Sequence, residues 1–80
     1  MTHIILEILE QSKFDKNNEV IAWKIIESTD LGNYKELKLS EYEIKLDEIT
    51  LKQNQKSRLH KCFHDNKIPK QCQIIGENHG

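Results

Sequence analysis

Apolar residues first gather at Ile4, Ile5, Leu6, Ile8 and Leu9, interrupted only by Glu7. This run predicts a strand over residues 4–9, although Ile4, Ile5, Ile8 and Leu9 would also line one side of a helix. Asp15-Lys16-Asn17-Asn18 then supplies turn chemistry, because Asn and Asp side chains bond their own backbone and tolerate left-handed conformations. Residues 20–26 are β-branched and aromatic, with Ile21, Trp23 and Ile25 on one face and Val20, Ala22 and Ile26 on the other. A strand apolar on both faces is expected at the centre of a sheet, which puts Trp23 in the core.

After a second turn cluster, Asp30-Leu31-Gly32-Asn33, Leu37 and Leu39 alternate with charges and residues 41–47 alternate without a break. Tyr42, Ile44 and Leu46 point inward on this reading and Glu41, Glu43, Lys45 and Asp47 outward, the pattern of a half-buried strand. The apolar phase shifts near Ser40, which suits a bulge, and Ser40-x-x-Glu43 offers a helical alternative as a capping box. Thr50-Leu51-Lys52-Gln53 is a second capping box and predicts a helix over 51–65, where Leu51, Gln55, Leu59, Cys62, Phe63 and Asn66 share an arc of about 120°. Asn66 and Pro69 end it, and residues 71–75 suffice for a last strand. The expected fold is α+β: a small antiparallel sheet of three to five strands with one amphipathic helix, about residues 51–65, packed on it. Residues 1–75 form the single domain, and 76–80 are expected to be a flexible tail.

Composition narrows the class. Eighty residues make one domain, and 36% hydrophobic against 31% charged residues allow only a thin core. No run approaches the roughly 18 apolar residues of a membrane span. Cys62 and Cys72 are too few for a disulfide framework, so the expectation is reduced thiols in a cytoplasmic protein. The net charge of −1 conceals a division: residues 1–50 hold six lysines against eleven acids, and residues 51–80 hold six basic residues against Asp65 and Glu77.

On the helical reading of 51–65, Lys56, Arg58, His60, Lys61 and His64 form a basic face suited to phosphates or an acidic protein surface. On the strand reading of 41–47, the carboxylates Glu41, Glu43 and Asp47 repeat about every 6.6 Å on one face, close to phosphate spacing, and could occupy a partner's basic groove. Each pattern is also what an ordinary solvated surface shows. His60 and His64 lie one helical turn apart, but Cys62 would project about 200° around the helix from His60, so no metal site and no cofactor is assigned. Three dispersed glycines make no phosphate loop, no Ser or Cys has a nucleophile's context, and the chain is expected not to be an enzyme.

The remaining expectation is a small non-catalytic protein that binds and modulates, in the inhibitory sense, a larger protein or ribonucleoprotein complex. Phages and mobile elements encode such proteins, anti-CRISPR proteins among them, and the likeness is one of class only. The alternative is a nucleic-acid-binding regulator that uses the basic helix face.

Overall fold

The computed structural model describes residues 1–80, the side chain of Leu37 apart. Strands β1 (Thr2–Phe14) and β2 (Val20–Asn33) are followed by a 3-10 turn at Glu36–Lys38, helix α1 (Leu39–Asp47), and strands β3 (Gln55–Asp65) and β4 (Ile68–His79). The four strands form one antiparallel sheet in the order β2-β1-β3-β4. The expected α+β class, with one helix packed on a small antiparallel sheet, is the observed one, but the helix and one strand have exchanged places.

Residues 41–47 are helical because their apolar positions serve a helix better. Leu39, Tyr42, Leu46 and Ile49 follow i, i+3, i+4 spacing, and Tyr42 and Leu46 are buried while Ile44 is 56% exposed. Glu41 in the first turn and Lys45 in the last complement the helix dipole and stand four residues apart in the favourable order. Residues 55–65, expected as helix, are a strand bonded on both sides, to β1 and to β4. The ladder to β1 comes from a distant part of the chain, which a local pattern does not contain. Thr50 begins no helix.

Local turn chemistry acts as expected between β1 and β2. Asp15 Oδ1 accepts from the N–H groups of Asn17 at 2.8 Å and Glu19 at 2.9 Å, and Asn18 takes a positive φ of 62°. At Asp30-Leu31-Gly32-Asn33 the expected turn is instead an irregularity inside β2, where Gly32 adopts φ 90° and donates to Asp30 Oδ1 at 2.7 Å. The stretch 20–26 lies in an edge strand and not at the centre. Residues 76–79, expected as a tail, continue β4 opposite Lys56, Ser57, Arg58 and Leu59.

Helix α1 packs on one face, over β3 and β4, where Ile4, Tyr42, Leu46 and Leu59 form the buried core. Gly76 sits beneath the helix: a Cβ there would approach Leu46 Cδ2 to 3.2 Å and Leu59 Cδ1 to 3.8 Å. The Tyr42 hydroxyl donates to the Asn33 carbonyl at 3.2 Å and ties α1 to the end of β2. None of the helices is long and apolar enough to cross a membrane.

Cys62 and Cys72 stand opposite each other in the β3–β4 ladder, 4.1 Å apart at Cα, and are joined by a disulfide. The expectation of reduced thiols is corrected, and with it goes the cysteine argument for a reducing compartment.

Leu59→Ala is expected to cost about 2–5 kcal/mol in urea unfolding, enough to unfold much of so small a domain, while Ile44→Ala stays within about 0.5 kcal/mol. Equal losses would mean that Ile44 shares the core. Reduction of the disulfide, which closes a loop spanning a separation of 10 residues, is expected to lower stability by about 2–3 kcal/mol. Alkylation of the unfolded chain without reductant should then label neither cysteine, and labelling of both would refute the pairing.

Candidate functional site

Alternation along each strand divides the sheet into a face covered by α1 and an open face. On β1 the open face takes His3, Ile5, Glu7 and Leu9, and the ladder sets these beside Cys62, His60, Arg58 and Lys56 of β3. Trp23, Ile25, Ser28 and Asp30 extend the face onto β2, and Cys72, Ile74, Glu77 and His79 onto β4. Lys56, Arg58, His60 and His64, expected around a helix, are therefore gathered on one side of a central strand, because their even spacing suits period two. Lys61 is separated from them on the covered face, with Nζ 4.5 Å from the Tyr34 ring centroid.

Each charge at the centre of the open face meets its opposite. Glu7 Oε1 accepts from Arg58 Nε at 3.1 Å and also adjoins His60 Nε2, which is not aligned for a hydrogen bond. Glu77 Oε1 lies 3.3 Å from Lys56 Nζ and 2.9 Å from His79 Nε2, and Asp30 Oδ2 lies 3.4 Å from His3 Nδ1. The His3 and His64 rings meet edge to face at 6.1 Å. All four histidines of the chain thus share one face with the three acids, a grouping visible only once the strands are aligned.

Trp23, expected in the core, is half-buried on this face. Lys56 Nζ lies 4.3 Å from its ring centroid, and the His79 ring meets it at 6.4 Å. The Lys56–Trp23 contact runs from β3 to β2 across β1, and so closes over Leu9. This explains how Leu9 can be only 2% exposed on a face without a helix. Beside this bridge a concavity of about 270 Å3 is lined by Glu7, Ser28, Arg58, His60, Lys70 and the Cys62–Cys72 disulfide. Ser28, its hydroxyl residue, is separated from His60 by the width of β1, and no nucleophile–base pair results. Among the described residues no three His, Cys, Asp or Glu side chains are grouped to hold a metal ion.

The expected row of carboxylates does not exist as a strand face. Glu41, Glu43 and Asp47 lie on α1, where Glu41 and Glu43 project about 200° apart, and Asp47 Oδ1 accepts from Asn78 Nδ2 at 2.7 Å. All three are exposed. Their spacing no longer resembles that of phosphates, and the groove-filling argument built on it falls.

Comparison with protein-family models, with curated proteins and with solved structures found no match.

The Asp30 carboxyl is held below its ordinary value chiefly by the Gly32 N–H, against a smaller opposing effect of burial, and further by His3 and His64. A depressed carboxylate stabilises the fold above the unfolded value of 3.8, and the contribution disappears as pH falls through the folded value. Asp30→Asn is therefore expected to be less stable than the parent at pH 7, by a margin that narrows below pH 3.8, read by urea unfolding at pH 7 and near pH 3. A constant difference at the two pH values would assign the effect to shape and not to charge.

Proposed function

We propose that the protein is a non-catalytic binding module that docks through the open sheet face on a larger protein or ribonucleoprotein complex and modulates it, inhibition being the expected sense. The observation that carries this reading is surface area. A compact monomer of 9.5 kDa exposes about 5,050 Å2, whereas this chain exposes 5908 Å2. The surplus, roughly 860 Å2, is about what one partner contributes to a standard protein interface. Exposed apolar side chains on the open face include Ile25 at 48% and Ile74 at 49%, the latter at the centre of β4's open side.

The charge pattern supports a protein partner over a nucleic acid. Lys56, Arg58 and Lys70 are balanced by Glu7, Asp30 and Glu77, which leaves little net charge for phosphates. The rival reading of a basic helix face has lost its helix.

Tagged protein used as bait in native host lysate, with partners identified by mass spectrometry, tests the assignment. Ile74→Glu should reduce capture of the wild-type partner at least tenfold without lowering the melting temperature, since a charge replaces an apolar contact in the docked face. The double variant Glu41→Lys, Glu43→Lys on α1 should capture normally. The reverse result would move the interface to the helix. Micromolar or tighter binding of an oligonucleotide by the isolated protein at about 150 mM salt would replace the reading with nucleic-acid binding.

A further inference from the structure

The two edges of the sheet are built differently. β4 carries Pro69 and Lys70 and is preceded by Lys67, features that discourage the addition of another strand. β2 runs for 14 residues without a proline and leaves Ile21, Ile25 and Ile26 at 64%, 48% and 45% exposure. A long apolar edge of this kind leaves a row of backbone donors and acceptors free to pair.

We propose that β2 pairs antiparallel with β2 of a second copy of this chain, about a twofold axis between Ile25 and Ile26. In that register Lys24 of each copy faces Glu27 of the other, Ile25 faces Ile26, and Trp23 faces Ser28. Lys24 and Glu27 are exposed and form no ion pair among the described residues, so each copy brings an unused cation and an unused anion to complementary positions.

The bulge in β2 makes this register geometrically allowed. Residues directly opposed in an antiparallel ladder must point to the same side of the sheet. In a regular strand, positions 24 and 27 would point to opposite sides. Here Ile8 pairs with Glu27 and Leu9 with Ile25, so Ile26 is an extra residue and the alternation shifts by one. Lys24 and Glu27, opposite Glu10 and Ile8, both take the side of the covered face, and Trp23 and Ser28, opposite Gln11 and Glu7, both take the open side. The sidedness of β2 therefore reads the same in either direction from the proposed axis. Pairing joins the two sheets into one of eight strands, with both open faces on the same side. The inference concerns the β2 edge and stands apart from the docking role given to Ile74 on β4.

Sedimentation of the full chain over micromolar to millimolar concentration should show a species of about 19 kDa, twice the 9.5 kDa chain. Lys24→Glu and Glu27→Lys should each weaken it roughly thirtyfold, because two cross-strand attractions become repulsions in each homodimer. An equimolar mixture of the two variants should recover the wild-type affinity, because in the mixed pair every opposition is again between unlike charges. A strictly monomeric wild type would show that the bulge at Ile26 protects the edge and would overturn the proposal. So would single variants that dimerise like wild type, or a mixture of folded variants that fails to recover.

Discussion

Helix α1 has nine residues and is about 13 Å long, while four strands span about 14 Å between their outer axes and run to more than 40 Å along the strands. One such helix can shield only part of one face, and it lies over β3 and β4. Most other features follow from this shortfall. The main buried cluster lies beneath α1, Ile21, Ile25 and Ile26 of β2 remain exposed, and the open face must bury Leu9 and Cys62 without a second layer. The Lys56–Trp23 bridge over Leu9 is one local answer, using the lysine stem and the indole ring as a lid. The disulfide is another, since it fastens β3 to β4 at a place no helix reaches.

What could be read from the sequence was what local chemistry decides. The Asp15 turn needs only the five residues from Asp15 to Glu19, and the strand favoured for residues 4–9, whose spacing also suited a helix, is the observed one. The exchange of helix and strand has a definite cause. Alternation over 41–47 fits period two, but Tyr42 and Leu46 within it stand at helical spacing with Leu39 and Ile49 on either side, and its Glu and Lys residues are good helix formers. The stripe expected over 51–65 was completed with Gln55 and Asn66, which are polar. In β3 the positions on the covered face are Ser57, Leu59 and Lys61, a sequence with no apolar alternation to reveal a strand. Pairing with β1 and β4 makes it one, and that information lies some 50 residues away for β1.

The strand gathers 56, 58, 60 and 64 on one side because they share parity, whereas a helix would turn Arg58 about 200° from Lys56 and from His60. Their acidic partners could not be foreseen, since Glu7 and Asp30 reach them only through the register of β1 and β2. The cysteine pair was nearer to being legible. Asp65 accepts from the Lys67 N–H at 2.9 Å and closes a tight turn to Ile68, and one register shift between Phe63 and Asp65 then brings Cys62 opposite Cys72. A hairpin reading of 62–72 would have placed the sulfurs together. The helical reading kept them apart.

The ion pairs of the open face also bear on what it can bind. Partly buried pairs of this kind give back in lost hydration much of what their attraction supplies, so their net value for stability is small. Their effect on association is larger. A lone lysine or arginine buried against a partner must find a counter-charge there or lose its hydration uncompensated, whereas Arg58 beside Glu7 and Lys56 beside Glu77 bring their counter-charges with them. A face prepared in this way can be covered by an apolar surface at lower cost than a field of free cations could. Contact would then be carried by Trp23, Ile25 and Ile74, with the paired charges supplying a polar rim. If two such faces lie side by side in an eight-stranded sheet, a partner with repeated sites meets the second at high effective concentration once the first is bound, and modest affinity at each face becomes durable occupancy.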